Sequence, residues 1–209
     1  MTVQEEYFKN LSDILKKNFK KKGFAFNSFS NKEEAKKFVL SKIKKEDIIT
    51  FGGSYSVNQM GILEDLKGYK NFVDRNNKEL KTDAEIKAFT SDVYLCSANA
   101  ISKNGDVIEI DGSGNRTAAV IYGPKKVFLI VGKNKLANTE KEALKRAKDI
   151  AAAQNSIRFK VDNPCAVGDM ICKDNCEIDK RMCAYTVIIN KCHIKDRIHI
   201  IFIDEELGF

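Results

Sequence analysis

No stretch of this chain approaches the run of about 20 apolar residues that a membrane-spanning helix needs. A signal peptide is missing as well: the opening "MTVQEEYFKN" has neither an apolar core nor a small-residue cleavage site. There is no internal repeat, no low-complexity tract and no Pro/Ser linker, and only two prolines in 209 residues. Histidine is equally scarce, with His193 and His199 alone, so no histidine metal motif can be written. These absences exclude a membrane span and a tandem array. They lead to the expectation of a cytoplasmic protein in one domain, residues 1–209.

What is present is ordinary for a soluble globular chain: 43% hydrophobic and 31% charged residues. The net charge of +7 is spread through mixed Lys-Glu and Lys-Asp segments. The one dense basic run, "LKKNFKKKG", falls on the polar side of the first helix and reads as a solvated face. Neither nucleic acid nor membrane is expected as a partner.

Periodicity predicts a helix over residues 3–20, with Val3, Tyr7, Leu11, Ile14, Leu15 and Phe19 at helical spacing and Gly23 as its stop. With the strand "FAFNSF" it forms an N-terminal unit over 1–30. Asn31 caps the helix "NKEEAKKFVLSKI". A buried strand "EDIITFGG", the helix "SVNQMGILEDL", a short strand "NFVDR" and a helix from Thr82 to Phe89 follow. "DVYLCSANAI" and "GDVIEIDGSG" read as strands, "NRTAAVIYG" as a helix and "KVFLIVG" as a strongly apolar strand. A helix runs from Thr139 to about Ala153. The last strands, "AYTVIIN" and "RIHIIFID", are separated by "KCHIKD" and predict a C-terminal hairpin. Strands alternating with helices give an α/β fold, three-layer αβα with a mostly parallel sheet.

In such sheets ligands sit at the carboxyl ends of strands, where glycine turns lead into helices. The first such turn holds Gly52, Gly53 and Ser54. Free N–H groups there suit a phosphate or carboxylate, although a tight strand–helix turn without ligand explains the same residues. The second is "EIDGSGNRTAAV", with Asp111, Gly112, Gly114, Asn115 and Arg116. It is no dinucleotide fingerprint, because Thr117 stands at the third glycine position and no acidic residue ends a strand about 20 residues on. Arg116 offers a planar fork for an anion, with Asp111 to orient it or act as a base. Alternatively, Asp111 and Asn115 cap turns and Arg116 is an internal ion-pair partner.

Four of the six cysteines fall within "CAVGDMICKDNCEIDKRMC", the core of a Cys-rich loop over residues 164–184. Cys165, Cys172, Cys176 and Cys183 are a sufficient ligand set for structural Zn2+ or for a 4Fe–4S cluster. The spacing matches neither zinc-ribbon knuckles nor a ferredoxin run. Disulfides and unlinked thiols are the alternatives, disfavoured by a reducing compartment and by a polar loop respectively. Zn2+ is the leading expectation, since a short loop gains most from cross-linking. Cys96 reads as a core residue and Cys192 as unrelated to the cluster.

The ordered series "FGGSYSVNQMGILEDL", "TSDVYLCSANAISKNGDVIEIDGSGNRTAAVIYGPKKVFLIVGKNKL" and "IHIIFIDEELGF" resembles the lactate-utilisation (LUD) domain family from about Lys36 onward. The resemblance implies a fold like that of ribose-5-phosphate isomerase, glucosamine-phosphate deaminase and the coenzyme A transferases. It implies a place in oxidation of lactate to pyruvate beside iron–sulfur oxidoreductase subunits. It also places the Gly52–Ser54 and Gly112–Arg116 turns at the ligand cleft, with Asn99 on the same side. Some members of the family carry a comparable cysteine-rich stretch and others lack it, so it is not the general active site. The resulting expectation is a cleft for a small anionic metabolite or cofactor. Two other functions stay open: a non-catalytic assembly or electron-transfer subunit, and an isomerase or CoA-transferase-like enzyme. A homodimer is a further candidate assembly.

Overall fold

The structure, a computed structural model, describes residues 1–77, 79 and 81–209. Five parallel strands form the main sheet: β1 (Ala25–Phe29), β2 (Ile49–Phe51), β3 (Val93–Cys96), β6 (Lys126–Gly132) and β9 (Ile198–Ile203), in the order β1-β9-β6-β3-β2. A second sheet, β7-β4-β5-β8, joins β4 (Ala100–Ser102), β5 (Val107–Asp111), β7 (Leu136–Ala137) and β8 (Tyr185–Ile189). The helices are α1 (Val3–Lys21), α2 (Lys32–Ser41), α3 (Tyr55–Met60), α4 (Ile62–Leu66), α5 (Lys81–Ala88), α6 (Asn115–Ile121), α7 (Glu140–Arg146) and α8 (Ala153–Arg158).

The apolar run of β6 follows from its central place. Val127, Leu129 and Val131 point into one core with Leu15 and Phe19 of α1 and Val120 of α6. Phe128 and Ile130 point into another, with Val39 of α2, Val57 of α3 and Leu66 of α4. A strand covered on both faces has no polar side to show, so alternation disappears from its sequence. The αβα layering is as expected. The second sheet adds a small core of its own, in which Ala100, Ile108 and Ile110 meet Ala143 and Ala147.

Local signals act as the chemistry of caps predicts. Thr2 accepts from the Glu5 backbone N–H while Glu5 reaches back to the Thr2 backbone, a capping box. Asn31 accepts from Glu34 N and Thr139 from Glu142 N. The inward face of α1 is Phe8, Leu11, Leu15 and Phe19; Val3, Tyr7 and Ile14 are exposed.

The expected C-terminal hairpin is corrected. β8 runs antiparallel to β5 in the small sheet, whereas β9 lies between β1 and β6, parallel to both. β9 is apolar and buried at every position but His199, which suits a doubly covered place; β8 has an exposed start and suits a one-sided sheet. "DVYLCSANAI" is likewise two strands, β3 and β4, which belong to different sheets. "NFVDR" reduces to one parallel bridge between Phe72 and Ile49. The helix expected to end near Ala153 continues to Arg158, through a π-helical stretch over Ala147–Ala152.

Candidate functional site

β3 leaves the main sheet at Ser97, and the chain crosses into the small sheet by Asn99. Three successive carbonyls are freed from both ladders there, and each accepts from one cation. Arg116 Nη1 donates to Ser97 O at 2.9 Å, Lys135 Nζ to Ala98 O at 3.1 Å and Arg146 Nη1 to Asn99 O at 2.6 Å. Buried carbonyls must be paired, and long cationic side chains reach them where no strand can.

This crossing forms one wall of a cleft of about 570 Å³. Gly53, Ser54, Asn99, Asp111, Gly112, Asn115 and Arg116 line it, as do Tyr55, Ser56, Arg75, Ser97, Lys135, Arg158, Met182 and Phe209. Gly52 and Gly114 stand behind it. A Cβ on Gly52 would meet Tyr94 Oη at 2.6 Å and Arg116 Cγ at 3.1 Å; one on Gly53 would meet Arg75 Nη1 at 2.9 Å. These glycines let two arginine side chains lie against the turn. Gly114 has φ +81° and packs on the Tyr185 ring.

Arg116 is held from every side. Nη1 pairs with Glu109 Oε2, while Nη2 donates to Asn99 Oδ1 at 2.9 Å and Ile110 O at 2.7 Å. Asp111 accepts from Thr117 N at 3.1 Å and from Ser113 N at 3.2 Å, closing the turn before α6. Burial raises the Glu109 carboxyl pKa against the pull of Arg116. For Arg116 itself burial opposes the charge, and Glu109 and Asp111 overcome it, so its pKa rises. Glu109 is wholly buried, and nothing in "VIEID" marks it as a site residue.

Lys135 was not singled out either, although its "VGKNKL" segment stands in the family-like series. It is 4% exposed, and Nζ donates to Ser56 Oγ at 2.9 Å and Ser97 Oγ at 2.8 Å. Burial, then Arg146 and Arg116, lower its pKa to about 7 against the opposing charges of Glu109 and Cys96. Arg158 stacks over Phe159 and Phe209, whose ring lies on Tyr55 at 5.0 Å. Burial, Arg75 and Arg116 all lower its pKa, and its Nε is buried without a hydrogen-bond partner. Arg75 pairs with Glu85 at 2.7 Å and also has an unpartnered Nε.

The cysteine loop lies beside the cleft. Arg181 O and Met182 pack against Gly112, and Met182 reaches the lining. Asn163 anchors the loop, donating to Ser156 Oγ of α8 at 3.1 Å and to Lys180 O at 2.8 Å. All six cysteines are free thiols, and Cys96 is fully buried in the core. Burial raises the pKa of Cys165 against a hydrogen bond with Ser156, and that of Cys183 against the charge of Arg181. Among the described residues, no group of three or more His, Cys, Asp or Glu side chains is arranged to hold a metal ion. Among them, too, no helix is long and apolar enough to cross a membrane.

A family model described as LUD domain matches residues 13–203. No curated protein matches the chain. Among solved structures, a DUF162 family protein from Deinococcus radiodurans is similar at TM-score 0.56 and 8% identity, over 93% of this chain and 96% of that one. At that identity the likeness speaks for the fold.

Proposed function

The chain belongs to the LUD domain family, and from that premise we propose a lactate-utilisation-type protein whose cleft binds a small anionic metabolite or cofactor. The observation that carries this reading is the convergence of Arg75, Arg116, Arg158 and Lys135 on one cleft. Arg158 is repelled by Arg75 and Arg116 and keeps an unpartnered Nε. An anion in the cleft relieves the repulsion and pairs with the guanidinium. Arg116 contributes field and shape, since its Nη atoms already have protein partners. A role in lactate and pyruvate redox metabolism, beside iron–sulfur oxidoreductase subunits, accords with such a carboxylate site.

Calorimetric titration with lactate, pyruvate and phosphate tests this. Saturable binding is expected, weakened about tenfold or more by Arg158→Ala through loss of a charge-assisted hydrogen bond of about 1.5–3 kcal/mol. Binding indifferent to both Arg158→Ala and Arg75→Ala would sink the proposal.

A second reading concerns the loop. Cys165, Cys172, Cys176 and Cys183 would hold Zn2+ or a 4Fe–4S cluster once the loop gathers them, four thiols being a sufficient donor set for either. The support is chemical: four thiols fall within one loop, which Asn163 anchors to α8 and to Lys180 O. Zinc would cross-link the loop, whereas a cluster would pass electrons to a partner subunit. Metal analysis and visible absorbance of anaerobically purified protein separate the two, and four titratable thiols without metal would reject both.

A further inference from the structure

The carboxyl ends of three adjacent strands deliver one side chain each to a single point of the cleft. Ser56 comes from α3, after β2; Ser97 is the residue after β3; Lys135 lies in the turn after β6. Lys135 Nζ stands 2.8 Å from Ser97 Oγ and 2.9 Å from Ser56 Oγ, and the two hydroxyl oxygens are 3.2 Å apart. All three are buried and all three line the cleft. We propose that Ser97 and Lys135 form a nucleophile–base pair for acyl transfer, with Ser56 as a positioning residue. The substrate class is an ester or thioester of a small acid whose anionic group lies against Arg158 and Arg75. The inference rests on the anion-binding reading of the cleft for its substrate class, not for its chemistry.

The hydrogen bonds hold the amine against the Ser97 hydroxyl. Lys135 Nζ has three partners: Ala98 O, which can only accept, and two hydroxyls, which can also donate. In the structure Nζ donates to all three, and Ser97 Oγ also reaches Ala98 O at 3.1 Å; once the amine has lost a proton, its lone pair is free to take the Ser97 O–H. The groups facing Nζ are Arg146 of α7, Arg116 of α6, Glu109 of β5 and Cys96 of β3. Burial and the two arginines outweigh Glu109 and Cys96, so the amine exchanges its proton near pH 7, where a general base works best. Ser97 sits in "CSANA", without a glycine elbow, so nothing local marks it as a nucleophile.

The step balances without a further reagent. Ser97 Oγ attacks the acyl carbon, and its proton passes to Lys135 Nζ. The bond to the leaving alkoxide or thiolate breaks, and that group takes the proton back from Lys135. Water then attacks the Ser97 ester with Lys135 again receiving and returning the proton, releasing the acid and free Ser97.

A small alkyl fluorophosphonate mimics the first half, forming an Oγ–P bond as fluoride leaves. Applied to the full chain, it is expected to modify Ser97, located by peptide mass mapping, at a rate that rises with pH through an apparent pKa near 7. Ser97→Ala abolishes the modification, and Lys135→Met slows it by roughly 10²–10⁴-fold. Ser56→Ala keeps the reaction but moves the midpoint of the pH profile, which a purely structural residue would not do. The wild-type pH profile needs no variant, so misfolding of Lys135→Met leaves the proposal testable. Folded wild-type protein unmodified at Ser97, or modified at a pH-independent rate, overturns the pair. If lactate or pyruvate still binds in that case, the anion cleft survives. Modification of Ser97 without anion binding keeps the pair and overturns the anionic substrate class.

Discussion

Arg116 stands in two settings at once, since it lines the cleft and pairs with the buried Glu109. Removing one partner of a buried pair leaves the other charge stranded, at a cost of about 3–5 kcal/mol. Arg116→Ala is therefore expected to lower stability by about that amount, read from the urea midpoint, with Glu109→Gln partly rescuing the double variant. An Arg116→Ala chain as stable as the parent would contradict the internal role. His199 gives the clearest pH signature. Burial first, then Lys126, hold its pKa near 4, below the usual 6.5, and its Nδ1 lacks a partner. The unfolded chain binds that proton more readily, so between pH 6.5 and about 4 stability falls as pH falls. His199→Phe, beside the Phe128 ring, should flatten that part of the curve in thermal melts at stepped pH. A slope identical in the variant would show that other groups carry it.

Helices and strands follow local rules, and the exceptions fall around the cleft. β3 and β4 read as one buried strand, yet the chain changes sheet between them, where three cations take the carbonyls of Ser97, Ala98 and Asn99. No periodicity in "LCSANAI" reveals this, since the partners lie at positions 116, 135 and 146. The first glycine turn shows the same dependence. Gly52 is required less by its own conformation than by the Tyr94 hydroxyl and Arg116 stem packed on it. Gly52→Ala is expected to cost about 1–3 kcal/mol by overpacking, lowering the melting temperature and weakening anion binding together. Unchanged melting would mean that Tyr94 and Arg116 move aside freely.

Across the molecule, the cysteine loop and the cleft meet at Gly112 through Arg181 and Met182, while α8 carries both Arg158 and the Ser156 anchor of the loop. The two proposed sites are adjacent but chemically separate. Cys172→Ser with Cys176→Ser is accordingly expected to abolish metal content while lactate or pyruvate binding to the cleft persists, measured on the same preparation. Loss of both would mean that the loop builds the cleft. The sequence is sufficient for the layered α/β class, the capped helices, the strongly apolar strand that becomes β6 and the two glycine turns. Each of these depends on neighbours a few residues apart. The separation of β8 from β9, the Glu109–Arg116 pair and the Ser56–Ser97–Lys135 cluster depended on strand order. Parallel neighbours in a sheet are joined by long crossovers, so the side chains that share a strand end come from distant parts of the chain and carry no common spacing.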